Sequence, residues 1–221
     1  MSDFATARQK MVDGQVRPSD VTDLRIIDAM LAVPRETFVP KHLRPVAYLD
    51  MDIDVAAKGT PGRYLIKPVV LARMLQAAEI SDTDRVLIVG CASGYSVAVV
   101  AHLAGEVFAT DPDPALAAAA KANLAAVGFS NVPVTTASPA AGDSAHAPYD
   151  VIVIDGATEV DPQPLYRQLK LGGRLVGVFS GVTPPRAMLV AHSPADFGTR
   201  VLFDAYAPVL PGFERVPAFS F

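Results

Sequence analysis

From residue 85 onward, short apolar runs of strand length alternate with helix-length segments, and this alternation restricts the fold more than any other feature of the chain. Repeated β-α units lay their strands parallel, with the helices packed on the sheet. "RVLIV" (Arg85 to Val89) reads as a buried strand, Ser93 to His102 as a helix, and Val107 to Thr110 as a second strand. Alanine-rich Pro114 to Ala126 predicts the next helix, stopped by Gly128. Asn131 to Thr136 predicts a third strand, Asp150 to Asp155 a fourth, Pro164 to Lys170 a helix and Gly173 to Ser180 a fifth strand, with Gly172 and Gly173 as the turn before it. Arg186 to Ser193 and Thr199 to Val209 have no helix-length segment between them and are expected to close one sheet edge as an antiparallel pair.

The first 84 residues have a different texture. Amphipathic helices are expected at roughly Thr6 to Val16 and Thr22 to Val33, a loop or short hairpin between Asp50 and Tyr64, and a helix over Pro68 to Ala78 with proline in its first turn. The expectation is one domain over residues 1–221, in which 1–84 cover a cofactor-binding sheet built by 85–221. A chain of 221 residues, 51% hydrophobic, can bury such a core. Its net charge of −4, without a basic tract, argues against nucleic acid as a partner. Cys91 is the single cysteine, so no intrachain disulfide forms, and a reducing cytoplasm is expected. "MSDFATARQKM" lacks the apolar centre of a signal peptide, and no run reaches the roughly 18 apolar residues of a membrane span. His42, His102, His146 and His192 are scattered without ligand spacing, and no metal is expected.

The stretch "LIVGCASGYS" (Leu87 to Ser96) runs a strand into a turn of glycine, alanine and serine. A bare turn after the first strand of an open parallel sheet lets a ligand approach the backbone, where such sheets bind nucleotides. Asp111 ends the second strand about twenty residues on, where a carboxylate accepts the ribose hydroxyls of an adenosine. It could also cap the following helix. The spacing Gly90, Ala92, Gly94 lacks the third glycine of a dinucleotide fingerprint, and glycine, small residue, glycine at every second position is the pattern of S-adenosylmethionine methyltransferases. Spacing makes Gly90, Cys91, Ala92, Ser93, Gly94, Tyr95, Asp111 and Pro112 candidate cofactor residues, and resemblance to that methyltransferase class adds Ser138, at the position near the adenine, and Asp155 at the end of the fourth strand. A low thiol pKa is conceivable for Cys91 at a helix start, and Asp155 before Gly156 suits an Asx turn. Tyr95 either covers the ligand or packs beneath it, and the phenylalanines of "GFERVPAFSF" form either a flap or packing on the sheet edge.

Met11 to Pro40, with "VPRETFVP" as its most specific phrase, followed by "AYLD", "GCASGYSVAVVA", "APYDVIVID", "LKLGGRLV" and "YAPVL", strongly resembles the protein-L-isoaspartate O-methyltransferases over nearly the whole chain. The resemblance implies an α/β Rossmann-like sheet of seven strands whose last strand is inserted antiparallel, S-adenosylmethionine as cofactor with S-adenosylhomocysteine as product, and methylation of the carboxylate of isoaspartyl residues in proteins or peptides. A carboxylate with a pKa of about 4 is ionised at neutral pH, so the reaction needs positioning rather than a general base. Where the family has a Thr-Ile-Ser-x-Pro segment beside the reacting groups, this chain has Tyr64, Leu65, Ile66, Lys67 and Pro68. Ile66 replaces the serine, and Lys67 either offers a cation to the carboxylate or lies solvated. Tyr64, Leu65 and Pro68 would adjoin the substrate. The substitution leaves open a different small-molecule acceptor, or a protein that binds the cofactor without catalysis. A soluble monomer without membrane partners is expected.

Overall fold

The computed structural model describes residues 3–216. Helices α1 (Phe4–Met11) and α2 (Leu24–Ala32) open the chain, each capped by an aspartate, Asp3 and Asp23, that accepts a backbone N–H of the first turn. α1 is shorter than expected. A π-turn over Val12–Val16 and a 3-10 turn over Arg17–Ser19 take over where Gly14 and Pro18 weaken the α-helical ladder. The Asp50 to Tyr64 region holds a small antiparallel pair, β1 (Ile53–Asp54) and β2 (Tyr64–Leu65), and α3 (Pro68–Ala78) follows it.

The β-α units come next: β3 (Arg85–Val89), α4 (Tyr95–Val100), β4 (Glu106–Asp111), α5 (Pro114–Ala126), β5 (Val134–Thr136), β6 (Tyr149–Thr158), α6 (Gln163–Tyr166), β7 (Leu169–Phe179), β8 (Arg186–His192) and β9 (Phe197–Asp204). They build one seven-stranded sheet in the order β5-β4-β3-β6-β7-β8-β9, parallel through β7 and antiparallel from β7 to β8 and from β8 to β9. The last strand is not inserted between two others. The connection from Ser180 to Pro185 has no room for a crossover, so β8 turns back beside β7 and β9 takes the edge.

Three further expectations shift. β5 is three residues long because Pro133 has no N–H to lend to a ladder. Gly172 and Gly173 do not separate a helix from a strand. They lie inside β7, where the register with β6 jumps from Tyr149 opposite Leu169 to Val151 opposite Arg174, and Gly172 takes a φ of +81° to absorb the extra residues. Because Leu169 already pairs, the expected Pro164 to Lys170 helix shrinks to the single turn of α6.

Period-two alternation sorts the core. Val86, Ile88, Val151 and Val153 face a large cluster built with α2, α3, α4 and α5, whereas Leu87, Val89, Ile152 and Ile154 face a smaller one closed by Leu165, Leu210 and Phe213. One sheet face is thus covered by helices and the other partly by the stretch that follows β9. Among the described residues no helix is long and apolar enough to cross a membrane.

Arg174 on β7 fastens α3 to the sheet. Its guanidinium donates to the carbonyls of Ala78 and Glu79 at 2.6 and 2.7 Å, at the C-terminal end of α3, and to the Asp84 carboxylate at 2.7 Å. Arg174→Ala is expected to lower the unfolding free energy by about 2–3 kcal/mol. Urea denaturation checks this, and a loss below about 0.5 kcal/mol would show that these bonds contribute little.

Candidate active site

The C-terminal ends of β3, β4 and β6 converge on the turn from Gly90 to Gly94. The N–H groups of Gly90 and Cys91 donate to the carbonyl of Thr110 at 2.8 and 2.9 Å, and that of Gly94 donates to the carbonyl of Cys91 at 2.8 Å. These bonds hold the turn against β4, with positive φ at Gly90, Ala92 and Gly94 (+78°, +48° and +99°). Ala92 adopts the left-handed region without being glycine, at a cost of about 1–2 kcal/mol. Ser93 lies in the turn rather than in α4, and its hydroxyl donates to the carbonyl of Phe38 at 2.5 Å.

Asp111 is fully buried at the end of β4. Its Oδ2 accepts from the Arg63 guanidinium at 2.5 Å and from the Ala92 N–H at 2.7 Å, and its Oδ1 accepts from the Asp113 N–H at 3.0 Å. It does not cap the following helix. Asp113 does, accepting from the N–H groups of Ala115 and Leu116. Pro112 is half-buried beside it, and Ser138 is exposed beyond β5, its hydroxyl accepting from the Ala141 N–H.

A second buried group adjoins the first, with Asp155 feeling the charges of Arg63, Arg35 and Asp111. Arg35, from "VPRETFVP", donates to the carbonyls of Ala47 and Ile66, both at 2.9 Å, and its guanidinium lies 4.5 Å from the centre of the Tyr95 ring. Tyr95 is buried and packs edge-on against Phe38, so it lies within the core rather than over an open site. Asp155 is equally buried. Its Oδ2 accepts from the Ser96 hydroxyl at 2.5 Å, which replaces the expected Asx turn, and Oδ1 has no partner. Burial pushes its pKa up to about 6, against the lowering by the Ser96 hydrogen bond and by Arg63 and Arg35. The Cys91 thiol is pushed well up, not down, by burial and by the neighbouring charges of Asp111 and Asp155.

In the Tyr64 to Pro68 segment, Leu65 and Ile66 are buried and Tyr64 and Lys67 half-buried, while Pro68 starts α3. The Lys67 N–H donates to Asp52 at 3.0 Å. Ile66, Arg35, Tyr95, Ser96 and Asp155 surround a void with no volume that a water could enter, and Lys67 does not line it. Phe213 is packed in the smaller core cluster; Phe219 and Phe221 lie outside the described residues. Among the described residues no three His, Cys, Asp or Glu side chains come together as a metal site.

Of the sequence-expected residues, Leu65, Ile66, Tyr95 and Asp155 line one void and Ala92 bonds Asp111, while Ser138 is exposed next to Ala137, whose N–H donates to the Asp111 carbonyl at 3.2 Å. Arg63, Arg35, Ser96 and Leu210 were not singled out, although each shapes the site. The donor set suits an adenosine group chemically, but the space does not fit one as the chain stands. Arg63 occupies the carboxylate of Asp111, and Leu210 fills the hollow over the glycines: a Cβ at Gly90 would stand 2.6 Å from Leu210 Cδ1, and one at Gly156 2.6 Å from its Cδ2.

Residues 6–181 match the family model described as protein-L-isoaspartate(D-aspartate) O-methyltransferase. A protein-L-isoaspartate O-methyltransferase of Koribacter versatilis is 37% identical over 176 residues, 80% of this chain and 78% of its own. A protein-L-isoaspartate O-methyltransferase 2 of Anaeromyxobacter is 40% identical over 171 residues, 77% of this chain and 69% of its own. Among solved structures, a protein-L-isoaspartate O-methyltransferase superposes with a TM-score of 0.80 at 22% identity, over 91% of this chain and 65% of that longer one. A putative enzyme of the same name from Plasmodium falciparum, in complex with S-adenosyl-L-homocysteine, gives a TM-score of 0.75 at 14% identity, over 95% of this chain and 99% of its own. At these identities the two structures support the fold.

The raised pKa of Asp155 has a defined sign. Its folded value, about 6, lies above the ordinary carboxylate value, so the native state holds this proton more tightly and loses stability as pH rises through that window. Asp155→Asn keeps an acceptor for Ser96 and removes the titration. The stability of the variant relative to wild type is expected to rise by about 2–3 kcal/mol between about pH 4 and about pH 7. Thermal or urea melts at the two pH values check this, and a pH-independent difference would contradict it.

Proposed function

The chain belongs to the protein-L-isoaspartate O-methyltransferase family, and from that membership we propose that it transfers a methyl group from S-adenosylmethionine to the side-chain carboxylate of isoaspartyl residues in damaged proteins or peptides. The observation that carries this reading is the extent of the match, which spans both the Tyr64 to Pro68 segment and the Gly90 to Gly94 turn. S-adenosylmethionine supplies an electrophilic methyl group when bound. The protein's own task is positional, because the acceptor is already an anion at neutral pH. In this proposal the Gly90 to Tyr95 turn, Asp111, Pro112, Ser138 and Asp155 serve the cofactor, while Tyr64, Leu65, Ile66, Lys67 and Pro68 adjoin the acceptor. The chain would work as one domain, a monomer in a reducing cytoplasm, which size-exclusion chromatography and fractionation test.

Ile66 makes the acceptor side less polar than a serine would. A hydrogen bond to a charged group contributes about 1.5–3 kcal/mol, or about ten- to a hundred-fold in rate when it acts in the transition state. That same substitution, with buried Leu65 beside it, favours a second reading in which the acceptor is a less polar small molecule.

The test is transfer of labelled methyl to a synthetic isoaspartyl peptide, scored as base-labile counts against the aspartyl peptide. Selective counts are expected. Their absence, with label entering a compound of a metabolite extract instead, would select the second reading. Ile66→Ser is expected to raise the rate on the isoaspartyl peptide about ten-fold or more. An unchanged rate would show that this position does not touch the acceptor.

A further inference from the structure

The position that would hold the cofactor's ribose and the backbone turn beside it are both filled by this chain's own side chains. Asp111 has no solvent exposure, the Arg63 side chain is 4% exposed, and the carboxylate spends its acceptors on Arg63, Ala92 and Asp113. That uses three of the roughly four lone-pair sites of a carboxylate, so a ribose bringing two hydroxyl donors does not find two free acceptors. Arg63 is delivered there by the β1–β2 hairpin: its N–H donates to Asp54 at 3.2 Å and its carbonyl accepts from Val55 at 2.7 Å. Leu210 is delivered by a different segment, which runs beside β6 with the N–H of Ala157 on the carbonyl of Pro208 at 2.8 Å and that of Leu210 on the carbonyl of Ala157 at 2.9 Å. Its isobutyl group stands where Cβ atoms on Gly90 and Gly156 would collide with it. Two segments separated by most of the chain therefore close one place.

The closed arrangement is also incomplete. Arg63 Nε, Arg35 Nη1, Tyr95 Oη and Asp155 Oδ1 are buried without a hydrogen-bond partner among the described residues. Such groups are rare in settled cores, and here they carry both donors and an acceptor.

We propose that Arg63 and Leu210 form a two-part latch over the cofactor position, so that S-adenosylmethionine or S-adenosylhomocysteine binds only by exchanging an internal ion pair and a leucine plug for its own ribose and backbone contacts. The proposal rests on the methyltransferase reading above. It makes Arg63 the residue that sets cofactor affinity, by competing for Asp111 rather than by touching the ligand. Opening requires the hairpin to withdraw Arg63 and the Leu210 side chain to lift, and any lift of the 207–210 backbone breaks its two bonds to Ala157 on β6.

The test is calorimetric titration of S-adenosylhomocysteine into the full-length wild type and into Leu210→Ala and Arg63→Gln, with circular dichroism to establish that each protein is folded. Leu210→Ala removes the plug and leaves the ion pair, so it keeps the test valid where loss of Arg63 prevents folding. The latch predicts dissociation constants at least ten-fold lower in each folded variant than in wild type. Affinities within three-fold of wild type would overturn the latch and leave the methyltransferase reading standing. Absence of binding in wild type and in every folded variant would overturn both.

Discussion

Among the contacts between the first 84 residues and the sheet, one is a guanidinium and a carboxylate withdrawn from water, Arg63 on Asp111. Each ion gives up hydration worth several kcal/mol, and mutual attraction returns that only when the remaining hydrogen-bonding positions are also used. On the aspartate they are, through the N–H groups of Ala92 and Asp113. On the arginine they are not, since Nε has no partner. The pair links the hairpin of the first 84 residues to the end of β4, so the covering segment and the sheet meet at the point where a nucleotide would be expected. The same contact stands where the proposed reaction would need space.

The sheet supplies the fixed frame for that contact. Strands β3 and β6 are buried on both faces, and their carboxyl ends set the glycine turn and Asp155 side by side. Helices cover one face, whereas the other depends on α6 and the stretch carrying Leu210 and Phe213.

Local features of the fold are legible in the sequence because they rest on neighbouring residues. Arg85–Val89, Pro68–Ala78 and Pro114–Ala126 fall where apolar runs, a first-turn proline and a stopping glycine place them. The paired glycines 172 and 173 read as a turn because a bulge and a turn ask for the same residue; only the pairing of Leu169 with Tyr149 distinguishes them. In the site, the turn and Asp111 are readable from spacing within one β-α-β unit. Arg63 on Asp111 and Ser96 on Asp155 join residues 48 and 59 positions apart, and no local pattern announces either. The raised pKa values of Asp155 and Cys91 follow from burial, which spacing does not carry. A lone arginine after Pro61 and Gly62, in a stretch otherwise rich in aspartate, was the available signal for Arg63.

The most direct measurement is an experimental structure of the full-length protein with S-adenosylhomocysteine. The account predicts the ribose hydroxyls on the Asp111 carboxylate, Arg63 withdrawn beyond hydrogen-bond distance from it, and the Leu210 side chain lifted from Gly90 and Gly156. The ligand bound with the Arg63–Asp111 pair intact and Leu210 in place would contradict it.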